Sequence, residues 1–292
     1  MNGIILIDKP IGKTSHDMVY LARRLTGIKK VGHTGTLDPD ATGVLPVCIG
    51  KATKVCDMLT ASDKRYTAEL ILGKTTDTQD ASGNVLTESE VNVTVESVHS
   101  VIEEFIGEIE QIPPMFSAIK KDGKKLYELA RKGITIEREP RKVTIHSIDI
   151  LDINLEKNSI TIDVICSKGT YIRTLCEDIG NRFGCGAYMN TLRRTMSGGF
   201  DIKDCHTVDE LRGIADNGKI GDVIIPTDSV FEMYEKVILD DFLAGKLKNG
   251  IKIRKSGLIK GNRYRVYSKD GEFLSVSEYN GTELVLEKAF WS

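Results

Sequence analysis

The chain has 292 residues, enough for about two domains at ~150 residues each. Hydrophobic residues make up 40% and charged residues 28%, with 27 Gly and 7 Pro, a globular composition that excludes a disordered, collagenous or coiled-coil chain. Net charge is −2, yet the signs are segregated: Lys120 to Lys142 carries nine Lys/Arg against four Asp/Glu, and Asp241 to Ser292 ten against six, while Leu86 to Gln111 carries seven Glu and no Lys/Arg. Basic blocks of this kind suit a phosphate backbone, although solvated surface helices show the same pattern.

Taken in chain order, residues 3–7 read as a buried strand. No basic segment precedes it and Asp8 ends the apolar run, so a signal peptide is not expected. Ser15 is expected to cap an amphipathic helix reaching Thr26, with Gly27 just past its end. Residues 31–54, rich in Gly, Thr, Asp and Pro, read as one long functional loop. Tyr66 to Gly73 alternates as a strand does, and Thr94 caps a helix with Val95, Val98, Val101, Ile102 and Phe105 on one face. Gln111 to Met115 is an extended breaker, and Leu126 to Lys132 is helical up to Gly133. Val143–Leu155 and Ser159–Cys166 pair around Glu156-Lys157-Asn158, a helix runs from about Thr170 to Arg182, and residues 207–216 form another. After Tyr234 come a short helix, Asp240–Lys248, and three strand-like segments at 263–267, 272–279 and 283–289, parted by Asp270-Gly271 and Asn280-Gly281 turns. This tail reads as a small β-barrel appended to a larger α/β domain.

Chemistry-bearing patterns are few. The six cysteines form no C-x-x-C pair and the five histidines no H-x-x-x-H, so neither a zinc site nor another metal is expected; the thiols read as reduced, in a cytoplasmic protein. Gly12-Lys13-Thr14 is not a phosphate loop, because Ile7 stands where its first Gly is required, and Gly73-Lys74-Thr75 fails at Ala68. No nucleotide cofactor is expected. The densest segment runs from Gly32 to Pro46. Asp38-Pro39 alone would be a turn initiator. Here the carboxylate sits between apolar Leu37 and rigid Pro39 in a loop stiffened by glycines and prolines, where a partly desolvated Asp could serve as nucleophile or base.

The run Gly35-Thr36-Leu37-Asp38-Pro39-Asp40-Ala41-Thr42-Gly43-Val44-Leu45 closely resembles the active-site motif of the bacterial tRNA pseudouridine synthase B family. Five further blocks agree with that family in order: Asp8 to Ser15; Lys64-Arg65-Tyr66 with Gly73 and Thr76 to Gly83; Pro113 to Lys120; Ser167 to Leu175; and Leu192-Arg193-Arg194. Phe116 stands where many relatives have Tyr. The tail resembles a PUA RNA-binding module in size and strand pattern.

The resemblance implies an α+β fold. A catalytic domain over residues 1–236 would be built on a mixed, largely antiparallel sheet with flanking helices, and a PUA-like β-barrel would follow over 237–292. It implies isomerisation of uridine-55 in the T loop of tRNA to pseudouridine, by a monomer acting without membrane, metal or cofactor. Asp38 would be the essential carboxylate, attacking C1′ or the base, or acting as base toward a glycal. Arg173 would pair with it. Tyr66 would stack on the flipped uracil and handle a proton at C5. Tyr171 and Leu192 would line the base pocket, His33 would fill the gap left by the extruded base, and Lys9 would support the loop or the substrate. Lys120, Lys121, Lys124, Lys125, Arg131, Lys132, Arg141 and Lys142 would contact phosphates. The rival reading is an RNA-binding, tRNA-folding protein with secondary or no catalysis.

Overall fold

The computed structural model describes residues 1–121 and 123–291. Strand β1 (Gly3–Lys9) is followed by α1 (Ser15–Thr26). The cap of α1 is Thr14 rather than Ser15: the Thr14 hydroxyl accepts from Asp17 N at 3.1 Å and the Asp17 carboxylate accepts from Thr14 N at 2.8 Å, a reciprocal box. Ser15 lies one residue inside the helix and is buried. Gly27, at φ 70°, ends α1 as expected.

Residues 31–54 are not one loop. They hold β2 (Val31–His33), β3 (Thr42–Ile49) and the start of a 3₁₀ turn over 50–55, so the irregular part is only 34–41. Pro46 disguises β3, since proline usually argues against a central strand. The register resolves this. Beyond its pairing with β1, β3 meets β2 only over residues 47–49, and its other partner only at 42–43. Pro46 falls in the gap between them, where its missing N–H breaks no ladder.

The chain continues through α2 (Cys56–Thr60), β4 (Lys64–Leu72), a β5–β6 hairpin (Lys74–Thr76, Val85–Glu88), α3 (Val95–Glu103) and β7 (Gly107–Gln111). The paired dipeptides β8 (Lys120–Lys121) and β9 (Lys124–Lys125) precede α4 (Leu126–Ala130). Next come β10 (Arg141–Asn154), β11 (Ser159–Cys166), α5 (Ile172–Arg182), β12 (Ala187–Ser197), β13 (Phe200–Asp201) and α6 (Val208–Asp216). The main sheet has the order β1-β3-β12-β4-β11-β10-β7, with β2 on β3 and β13 on β12. Only β3–β12 is parallel, which is the mixed, largely antiparallel sheet expected.

One apolar core joins Ala68, Leu70 and Leu72 of β4 and the inner residues of β10 and β11 to Val98 and Ile102 of α3 and Leu175 and Ile179 of α5. A second joins Ile5 and Ile7 of β1 to Met18 and Val19 of α1 and Leu211 of α6. The alternate residues Ile4 and Leu6 face a third cluster with Phe231, Val276 and Phe290. Burial on both faces explains the unbroken apolar run of β1.

The tail forms a separate curled sheet, in the order β14-β16-β17-β18-β15. Its strands are β14 (Glu235–Ile238), β15 (Ile253–Arg254), β16 (Arg263–Tyr267), β17 (Phe273–Tyr279) and β18 (Glu283–Ala289), and α7 (Asp241–Lys248) follows β14. This sheet begins at Glu235, two residues before the boundary expected from sequence. It also shares a core with the main sheet. Phe273 and Phe290 stack at 4.7 Å, Phe290 lies 5.8 Å from Phe231, and Lys54 Nζ donates to Ala289 O at 2.7 Å. Phe290→Ala is therefore expected to cost ~3 kcal/mol and lower Tm by ~10 °C. Calorimetry of the variant checks this, and an unchanged Tm would show that the shared cluster contributes nothing to stability. No helix among the described residues is long and apolar enough to cross a membrane.

Candidate active site

The loop 34–41 is held at every second residue. Arg194, fully buried on β12, donates from Nη2 to Gly35 O at 3.1 Å and from Nε to Val44 O at 2.7 Å. Ser15 Oγ accepts from Leu37 N at 2.8 Å and donates to Leu37 O at 3.2 Å. Pro39 O accepts from Gly12 N at 2.9 Å and from Lys9 Nζ at 3.0 Å. Ala41 N donates to Asp38 O at 3.1 Å, closing a turn with Pro39 at its second position. Gly43 permits the whole arrangement: its φ is 105°, and a Cβ there would lie 2.1 Å from Arg194 O.

Lys9 has 0% exposure, and its ammonium donates to Pro10 O, Lys13 O and Pro39 O at 2.9, 2.6 and 3.0 Å. All three protons are thus committed to backbone carbonyls. One of them, Pro39 O, belongs to the loop that carries Asp38. Burial pulls the Lys9 pKa down to about 8, against the opposing pull of Asp40 and Asp38.

The loop aims Asp38 at Arg173. Arg173 lies in the first turn of α5 and its side chain is only 7% exposed, whereas that of Asp38 is 41% exposed. Arg173 Nε lies 3.1 Å from Asp38 Oδ2. The other guanidinium nitrogens are also occupied: Nη1 donates to Thr78 O at 3.2 Å and faces Asp80 Oδ2 at 3.6 Å, and Nη2 donates to Phe116 O at 3.0 Å. A cation in the first turn opposes the helix dipole, so its two carboxylate partners offset both that and its desolvation. Loss of solvent on the inner side of Asp38 pushes its carboxyl above the usual range; Arg173 counteracts this and Asp80 adds to it.

Tyr66, on β4, stands opposite Arg194 of β12 and Val164 of β11. Leu192 pairs with Ala68, two residues along, so Leu192, Arg194, Tyr66 and Ala68 share one face. Burial raises the Tyr66 phenol, with the Arg194 guanidinium opposing. Tyr171 precedes α5, half-buried, its phenol likewise raised by burial. His33 ends β2 just before the loop. Its Nδ1 is buried without a partner, and burial with the nearby charge of Arg194 lowers its pKa, keeping the ring neutral.

The basic segment is less uniform than its composition suggests. Lys120, Lys121 and Lys124 are exposed, whereas Lys142 pairs with Glu108 at 2.7 Å, and Lys125 and Arg131 lie over the Tyr127 ring at 5.4 and 5.3 Å.

Four residues of the site have no role assigned by sequence reasoning: Ser15, Asp80, Gln111 and Arg194. Ser15, Asp80 and Arg194 stand inside the quoted motif blocks, which is the available signal. Asp80 is held by Thr78 Oγ1, Ser82 N and Ser82 Oγ at 2.7, 3.0 and 2.6 Å, next to Gln79 at φ 63°. Ser15 reads from sequence as a helix cap, and nothing local marks Gln111.

Comparison with known proteins places the chain among its relatives. The model described as TruB family pseudouridylate synthase (N terminal domain) matches residues 23–172, and that of the tRNA pseudouridylate synthase B C-terminal domain matches 173–232. The chain is similar to tRNA pseudouridine synthase B of Clostridium kluyveri, at 45% identity over 294 residues, covering 99% of this chain and 100% of the relative. It is also similar to tRNA pseudouridine synthase B of Alkaliphilus oremlandii, at 48% identity over 259 residues, with 89% and 85% covered. Among solved structures it resembles a crystal structure of a Cbf5-Nop10-Gar1 complex, with TM-score 0.72 and 28% identity over 99% of this chain and 85% of that one. A structure of an H/ACA RNP bound to a substrate RNA containing 2'-deoxyuridine gives TM-score 0.70 and 25% identity, again over 99% and 85%.

Proposed function

The chain belongs to the TruB family of pseudouridylate synthases and isomerises uridine to pseudouridine in tRNA; on that premise we propose that its target is uridine-55 of the T loop and that Asp38 is the reacting carboxylate. The observation that carries this reading is the Asp38–Arg173 pair, an acid open to solvent on one side and bound on the other by a buried cation in a loop that cannot move freely.

The reaction must break N1–C1′, turn the uracil over, form C5–C1′, take the proton from C5 and return one to N1. These changes balance without electron transfer or nucleotide energy. The target base has to leave its stack to reach Asp38, and a single-stranded loop makes that inexpensive. Asp38 in its ionised form engages the nucleoside, and Arg173 keeps it ionised and aimed. The Tyr66 ring packs on the uracil, Leu192 and Tyr171 bound the pocket, and neutral His33 offers a flat face to the vacated stack. The tail and the exposed Lys120, Lys121 and Lys124 follow phosphates, so affinity falls as salt rises. We further infer a monomer working in the cytoplasm.

Release of tritium from a T-arm stem-loop carrying 5-tritiated uridine tests the chemistry directly. Release from the T-loop uridine is expected; release from other uridines of the tRNA but not from that one would overturn the assignment of position. Tyr66→Phe keeps the stacking ring and removes the hydroxyl. RNA affinity is expected to stay at the wild-type level while single-turnover isomerisation slows by ~10²-fold, the lower range for a lost proton-transfer group. A Phe variant as fast as the wild type would confine Tyr66 to packing.

A further inference from the structure

The start of α5 carries both Tyr171 and Arg173, yet no side chain from within the helix caps it. The holding group comes from another strand. Gln111 ends β7, is 1% exposed, and faces the main chain of Tyr171: its Oε1 accepts from Tyr171 N at 3.0 Å and its Nε2 donates to Tyr171 O at 3.2 Å. The carboxamide supplies, from one planar uncharged group, both the donor and the acceptor that this double contact needs. Five residues on, across the stiff Pro113-Pro114 pair, Phe116 O accepts from Arg173 Nη2. One short segment thus grips the first turn of α5 twice, at the backbone of Tyr171 and at the guanidinium of Arg173.

We propose that Gln111 is a positioning residue for the isomerisation, setting through the Tyr171 main chain both where the Tyr171 ring bounds the uracil pocket and where Arg173 meets Asp38. This rests on the reading of Asp38 and Arg173 given above. Gln111 touches neither the reacting atoms nor Asp38. The charged and titratable groups around Asp38 are Arg173 from α5, Asp80 from the segment before β6, Lys9 from β1 and Asp40 from its own turn, with Tyr66 of β4 and Tyr171 beyond them. Gln111 carries no charge, so removing its clamp can move the titration of Asp38 only by displacing one of these, above all Arg173.

The test is single-turnover isomerisation of a T-arm stem-loop at saturating enzyme, measured across pH, with RNA Kd measured separately. Gln111→Met keeps the length and loses both hydrogen bonds. It is expected to reduce the saturating rate ~10–100-fold, the effect of a small misplacement of aligned groups, to leave Kd unchanged, and to move the acid limb of the rate profile to higher pH. A wild-type rate overturns the proposal, and so does a reduced rate with an unmoved acid limb, which is what a purely structural residue would give. If Gln111→Met does not fold, Gln111→Asn decides. It keeps the amide but cannot reach both partners, so a smaller rate loss with the same direction of shift is expected, and a wild-type profile overturns the proposal. Asp38→Asn runs in parallel: isomerisation by that variant would refute the reading of the site itself, whereas its silence beside a normal Gln111→Met profile would refute the role of Gln111 alone.

Discussion

Asp38→Asn is expected to bind tRNA as the wild type does and to lose at least ~10³-fold in turnover, the scale for removing a reacting group. The structure makes the substitution conservative. The loop is held through Gly35, Leu37, Pro39 and Ala41, and among the described residues the hydrogen bonding of residue 38 besides the ion pair is through its main-chain carbonyl in the turn. Stability provides a second readout. The folded-state pKa of Asp38 is raised, chiefly by burial, so the stabilising contribution of its proton is complete below the unfolded value near ~4 and is lost as pH rises through the folded value. At pH 7 the ionised group therefore costs stability that Asn does not. The variant should melt at or above the wild-type temperature at pH 7, and this advantage should vanish toward pH 4. An Asn variant that forms pseudouridine at the wild-type rate would sink the assignment of Asp38.

Arg173→Met is expected to lose both rate and stability. The guanidinium separates Asp38 from Asp80 and serves the carbonyls of Thr78 and Phe116. Its removal leaves two carboxylates facing each other in a partly desolvated site and two carbonyls unpaired. Breaking a buried pair from one side costs ~3–5 kcal/mol, a fall in Tm of ~10 °C or more. With Arg173 gone, burial and Asp80 act on Asp38 unopposed, so its pKa rises further and the acid limb of the rate profile moves to higher pH. At neutral pH a ~10²-fold or greater rate loss is expected, because less of Asp38 is ionised and what remains is not aimed. Arg173→Lys should recover part of the stability and little of the rate, since one ammonium cannot serve four acceptors in a plane. Unchanged titration of Asp38 in Arg173→Met, measured by the pH dependence of single-turnover isomerisation, would show that the pair is not the electrostatic control of the site.

Some of this molecule is determined locally and is legible in the sequence. Thr94 begins α3 by hydrogen bonds spanning three residues, and Thr207 begins α6 in the same way. Asn158, at φ 52°, turns β10 back into β11, whose alternating apolar residues meet α5. The Asp38 loop is legible for a related reason: Pro39 and Pro46 fix φ wherever they sit, and Gly35 and Gly43 take positive φ values that other residues avoid. Only the tertiary structure decided the rest, because the deciding partners are distant in the chain. β12 carries polar and charged residues that obscure strand alternation. It becomes a central strand because β4 offers it a ladder and Arg194 finds Gly35 O and Val44 O to satisfy its buried guanidinium. β3 accommodates Pro46 only because its neighbours leave a gap there. Lys9 reads only as a support for the loop or the substrate, and the three carbonyls that close around it are visible only in the fold. The second sheet reads as a separable tail until Phe290 and Phe273 meet Phe231 and the far face of β1. In each case a buried hydrogen-bonding group or apolar face had to find a partner, and the chain alone does not say which distant residue supplies it.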